Sequence, residues 1–192
     1  MTDNLSDSLA IIETALRNLG RDALMTSLRS GLSADAVRSK LDSAGLPTTL
    51  ELETLYGWRN GAASDTAASL DDIHLFPGFY LLSLEDALTN YRAFVGDQRW
   101  ASGWLPVLAN GGGDFYVVDL GQAAAGAVRH FRIDEAEHPI EFSSLSAMTA
   151  TVAQGFERGI FSVDPSGYLE MDDLVFGDLA TAMNPDVTYW SS

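Results

Sequence analysis

Residues 104–133 read WLPVLANGGGDFYVVDLGQAAAGAVRHFRI, and this stretch decides the fold. It holds three runs rich in Val, Leu, Phe and Tyr, at 105–109, 115–120 and 127–133, each of strand length. The turn NGGG at 110–113 separates the first two runs, and the small-residue turn at 121–126 separates the second pair. Neither connection can hold a crossover helix. Neighbouring strands must therefore run antiparallel, which predicts a meander and excludes a doubly wound parallel sheet.

Upstream of the meander the pattern is helical. Leu5, Leu9, Ile12, Leu16 and Leu19 recur at alternating four- and three-residue spacing, so they share one stripe of a helix that ends at Gly20. A second helix is predicted over 22–30, and a third from the N-cap Ser33 through Val37 and Leu41 to a stop at Gly45. Thr48 and Glu51 have capping-box spacing, which starts a short helix over 50–58 that ends at Asn60-Gly61. Residues 62–71 are small, polar and aperiodic and predict a mobile loop, followed by short strands at 73–76 and 80–82. Ser83 and Asp86 open a further helix with Leu84, Leu88, Tyr91 and Val95 as its apolar stripe.

Downstream, 141–142 predicts an edge strand. Ser143 or Ser144 then caps a helix carrying Leu145, Met148, Val152 and Phe156, and another helix is expected near 172–183. The fold class that follows is α+β: a mostly antiparallel sheet flanked by helices. Residues 1–32 form an N-terminal helical extension packed on the core, and 33–192 form the main domain with a helical tail.

Composition narrows the function. The 192 residues suit one domain, and 46% hydrophobic with 20% charged residues is ordinary globular usage. The absence of cysteine removes disulfides, thiolate metal sites and thiol nucleophiles together. The N-terminus lacks a basic, apolar leader and no apolar run approaches the roughly 20 residues of a membrane span, so a cytoplasmic address is expected. Net charge is −16, unevenly distributed: residues 1–45 hold six acids against five Arg/Lys, whereas 46–192 hold 21 acids against six arginines. Such a surface repels nucleic acid and anionic membranes and attracts basic partners.

Candidate chemistry is sparse. Gly111-Gly112-Gly113-Asp114 leads into a strand rather than a helix and has no following Lys-Ser/Thr, so it reads as a turn and not a phosphate cradle. His74, His130 and His138 show no metal-ligand spacing, no GxSxG elbow occurs, and DPSGYLEMDD at 164–173 lacks the register of a calcium loop. With one Lys and only scattered Arg in the chain, the four tryptophans suit packing or protein contact better than base stacking. The expectation is a binding protein with no cofactor and no metal, and not an enzyme.

One ordered set of motifs goes further. Leu46-Pro47 precedes a short helix, Tyr56-Gly57-Trp58-Arg59-Asn60-Gly61 ends it, and Trp104-Leu105-Pro106-Val107 is followed by Gly112-Gly113-Asp114-Phe115-Tyr116-Val117-Val118-Asp119. In this order and spacing the chain, over roughly 33–157, resembles the SUKH superfamily, which includes the yeast cell-wall assembly regulator of the Smi/Knr type and many bacterial proteins. The resemblance implies an α+β fold and a non-enzymatic immunity protein that neutralises a polymorphic toxin, often a nuclease. The alternative it implies is an intracellular regulatory adaptor that binds a host protein. The matching positions are Pro47, Trp58, Asn60, Gly61, Trp104, Pro106, Gly113, Asp114 and Asp119. Several of these have structural readings, among them Gly61 as a helix stop, Pro106 as a strand entry and Gly113 as a tight turn, and Trp58, Asn60, Asp114 and Asp119 are the candidates for a partner-binding surface. The expected partner is a protein with a basic toxin domain, and the oligomeric state is left unassigned.

Overall fold

The computed structural model describes residues 5–63 and 69–191. Residues 64–68 of the loop expected at 62–71 lie outside the described residues. The chain opens with α1 (Leu5–Asn18), which buries Leu5, Leu9, Ile12 and Leu16 as the periodicity requires. Then come α2 (Asp22–Ser27), β1 (Leu28–Ser30), α3 (Ala34–Ser43), α4 (Leu50–Trp58) and β2 (Arg59–Ala62). A 3₁₀ turn at Leu70–Ile73 leads to β3 (Tyr80–Leu81), α5 (Leu84–Phe94), β4 (Trp104–Ala109), β5 (Phe115–Asp119), β6 (Val128–Phe131) and β7 (Ile140–Phe142). The chain finishes with α6 (Leu145–Glu157), β8 (Phe161–Val163), β9 (Leu169–Met171), α7 (Asp173–Met183) and a 3₁₀ turn at Thr188–Ser191.

The central sheet has the order β3-β4-β5-β6-β7, and every neighbouring pair is antiparallel. The meander and the α+β class are therefore as the sequence predicts. Helices cover both faces of this sheet. Phe115 and Phe131 are register partners, and so are Tyr116 and His130, so the two pairs point to opposite faces. On one face Phe94 of α5 and Trp100 pack against Phe115 and Phe131. On the other, Tyr116 meets Phe76 and Phe79, while Leu9, Ile12, Leu55, Met148 and Val152 bring α1, α4 and α6 against Leu81 and Leu108. Residues of α1, including Leu9 and Leu16, belong to the same continuous apolar cluster as the sheet. Each such fully buried Leu contributes about 1.5–3 kcal/mol of transfer free energy.

Three local expectations change. The end of the helix expected over 22–30 is β1, which pairs with β2 at Leu28↔Ala62 and Ser30↔Arg59. Of the strand expected at 73–76, Ile73 closes a 3₁₀ turn opened by a Ser69–Asp72 capping box, and Phe76 makes an isolated bridge to Phe79 across Pro77-Gly78. The tail contains a hairpin, β8–β9, that periodicity did not signal. Asp164 closes it: Oδ1 accepts the Ser166 and Tyr168 N–H groups, both at 2.8 Å, with Gly167 at φ 94°.

Candidate functional site

The four residues singled out by motif are each engaged inside the fold. Trp58, half-buried at the end of α4, donates its Nε1–H to Glu13 Oε2 at 2.9 Å. The same carboxylate accepts from Arg17 at 2.7 Å and Arg59 at 2.9 Å. Burial by itself raises the Glu13 pKa, but the hydrogen bonds from Arg17, Arg59 and Trp58 and the Arg59 charge outweigh it and hold the carboxyl below its ordinary value. Asn60 is buried; its Oδ1 accepts the Leu84 N–H at 2.9 Å and its Nδ2 donates to Glu85 at 3.2 Å. It thus shares with Ser83, which accepts the Asp86 N–H at 3.0 Å, the capping of α5.

Asp114 locks the Gly-rich turn. Its Oδ1 accepts the Ile133 N–H at 2.9 Å, and its Oδ2 accepts from Asn110 Nδ2 at 2.8 Å. Gly113 beside it sits at φ 108°, and a Cβ there would approach Ile133 Cδ1 to 2.8 Å. Asp119, 7% exposed, accepts from Arg129 Nε at 2.8 Å and from the Gly121 N–H at 3.0 Å. Trp58 and Asn60 lie together on the α4–β2 side. Asp114 and Asp119 flank opposite ends of β5, a separation of about 16 Å along a strand. The fold does not gather all four into one patch.

A different surface collects unsatisfied apolar area. Leu174 in α7 is 84% exposed, more than any other large apolar side chain among the described residues, and its neighbour Val175 is 47% exposed. The inward stripe of α7 is Phe176, Leu179 and Ala180, so Leu174, Val175, Asp178 and Ala182 face outward. Asp172 caps the helix by accepting the Val175 N–H at 3.1 Å, and Asp173 follows in the first turn. Exposed Glu170 of β9 and Tyr168, 47% exposed, adjoin in sequence. From residue 159 to 191 the chain holds six carboxylates and no Lys, Arg or His. The sequence carried a partial signal for this face: Leu174 falls off the helical stripe that buries Phe176, Leu179 and Ala180, whereas Val175, four residues before Leu179, lies at the edge of that stripe.

The buried titratable groups form packed polar contacts. Tyr116 donates to Glu141 Oε2 at 3.0 Å, and burial first, then the Glu141 charge, pushes its hydroxyl pKa up, so it stays a donor. His130 stacks on Tyr116 with ring centroids 4.6 Å apart and meets Glu141 Oε1 at 3.1 Å. Among the described residues no group of three or more His, Asp or Glu is placed to hold a metal ion, and no helix is long and apolar enough to cross a membrane. No protein-family model matches the chain, and no curated protein matches it in sequence.

Proposed function

We propose that the protein acts by binding another protein, as an immunity-type partner of a basic toxin domain, and that the outward face at the start of α7 makes the contact. The observation that carries this reading is the pairing of exposed Leu174 and Val175 with the carboxylates Glu170, Asp172, Asp173 and Asp178. An apolar pair left in water supplies an anchor, and a one-signed carboxylate rim selects a basic partner and raises its encounter rate. The likeness to the SUKH superfamily supplies the toxin as the class of partner. The engagement of Asn60, Asp114 and Asp119 in internal hydrogen bonds supports assigning the anchor to α7 rather than to these motif residues.

The test is co-purification with the product of the adjacent gene, followed by association kinetics at 50 and 500 mM NaCl. The expected result is a complex whose on-rate falls at least about tenfold with salt. Leu174→Asp should weaken that complex by at least about tenfold while leaving the unfolding midpoint unchanged, because the side chain is in water already. A salt-independent on-rate, or an undiminished complex with Leu174→Asp, overturns this reading.

A further inference from the structure

Two clefts meet where β6 and β7 end. One, about 700 Å³, is walled by Trp104, Arg129, Arg132 and His138. The other, about 830 Å³, is walled by Ala124, Ala125, Ala127, Ile140 and Val187. Arg129, Pro139 and Tyr189 line both, so the two form one trough with a cationic, aromatic half and a half in which small apolar side chains are joined by Ser143, Asp186 and Thr188. Three of the six arginines after residue 45, namely Arg99, Arg129 and Arg132, converge there in a chain of net charge −16.

Their N–H groups are not equally used. Arg99 has all three nitrogens engaged, with Nε and Nη2 on Asp97 and Nη1 on the Ile133 carbonyl. Arg129 commits Nε to Asp119 and Nη1 to the His138 carbonyl, which leaves Nη2 without a hydrogen-bond partner among the described residues while the guanidinium lies 5.2 Å over the Trp104 ring. Arg132 is held loosely: its side-chain contacts to Glu135, Tyr189 and Glu141 run from 3.3 to 3.6 Å, and its Nε has no hydrogen-bond partner among the described residues. Normal N–H···O bonds centre near 2.9–3.0 Å. The side chains of Arg129 and Arg132 are only 22% and 30% exposed. The carboxylates that line the trough, Glu135, Glu137 and Asp186, are exposed, where water screens them, while the buried Asp119 and Glu141 each meet one arginine, at 2.8 and 3.6 Å, without lining either cleft.

We infer that this trough binds a small amphiphilic anion, with its oxyanion on Arg129 and Arg132 and its apolar arm along Ala124, Ala127, Ile140 and Val187. Planar guanidinium forks with spare donors suit carboxylate and phosphate alike, and the alanine-lined half offers apolar surface for the arm, with Ser143, Asp186 and Thr188 open to water beside it. The site is separate from the α7 face, so it stands whether or not that face binds a protein.

Titration of the full chain with octanoate, octyl phosphate, acetate, inorganic phosphate and octanol, read by amide NMR shifts, tests this. At least one octyl anion should bind about tenfold or more tightly than its short counterpart, as burial of two methylenes alone provides. Shifts should map to residues 123–129 and 187–189. Octanoate and octyl phosphate distinguish a carboxylate from a phosphate ligand, and preference for either supports the site. Arg132→Gln, and independently Ala125→Asp at an exposed turn position, should each lower the affinity at least about fivefold with the NMR fold pattern intact. Equal binding of octanol, absence of binding by both octyl anions at millimolar concentration, or wild-type affinity in both variants overturns the inference.

Discussion

Asn60 and Gly61 join β2 to the start of α5 by complementary means, one through a side chain and one through the lack of it. Asn60 Oδ1 takes the Leu84 N–H, and the Gly61 backbone lies so close to α5 that a Cβ would stand 2.2 Å from Ser83 N. Gly61 also sits at φ 78°, whereas Gly45, at φ 72°, has nothing within 4 Å of its would-be Cβ. These two glycines separate backbone strain from steric closeness. Gly45→Ala should cost only the left-handed penalty, about 1–2 kcal/mol, and Gly61→Ala should cost a further 1–3 kcal/mol, roughly, for overpacking. Urea unfolding of the two variants checks this, and equal costs would show that the close approach is relieved at no expense. The motif positions were legible in sequence, but their work was not: which N–H an Asn or Asp side chain accepts depends on a segment distant along the chain.

At the scale of elements, α6 shows how one helix borrows from another. The Ser144 Oγ accepts the Ala147 N–H at 3.0 Å, while Glu51 of α4 accepts from Leu145 at 3.3 Å and Ser146 at 2.9 Å. Three otherwise unpaired N–H groups of the first turn are thereby satisfied. The sequence had suggested Glu51 as the capping-box partner of Thr48, but α4 is capped by Thr49, whose Oγ1 accepts the Leu52 N–H at 3.2 Å. Ser144→Ala should cost about 1 kcal/mol, and Glu51→Ala about 1–3 kcal/mol, because it strands two donors. Amide exchange at Leu145 and Ser146 should accelerate more in the Glu51 variant, and faster exchange in the Ser144 variant would reverse the assignment. The strands that periodicity missed, β1, β2, β8 and β9, have three or four residues each, too few for alternation to register. The 3₁₀ turn at Leu70–Ile73 did have its signal, in the spacing of Ser69 and Asp72.

For the molecule as a whole, pH stability follows from the histidines and the paired carboxylates. Burial, followed by the Arg99 charge, lowers the His138 pKa; burial also lowers that of His74, against the opposing pull of Asp71. The unfolded chain then takes up protons below about pH 6.5 more readily than the folded one, so stability falls as pH drops through that region. Asp97, hydrogen-bonded by the Arg99 side chain, is held at about 2, and Glu13 and Glu85 are also held low, so their contribution is present above about pH 4 and is lost only in stronger acid. The urea midpoint should therefore decline from pH 7.5 to 5.5, and a His74→Gln, His138→Gln double variant should flatten that decline; an unchanged slope would mean the histidines do not set it. The amino-acid sequence by itself determined the antiparallel meander, the amphipathic helices and the acidic imbalance, because periodicity, turn chemistry and charge are local or additive properties. Only the tertiary structure decided that Asp114 and Asp119 serve turns, that Val175 is left in water beside Leu174, and that Arg99, Arg129, Arg132 and His138 converge on one trough. Those outcomes depend on pairings between residues far apart in the chain, and such pairings leave no trace in the spacing of neighbours.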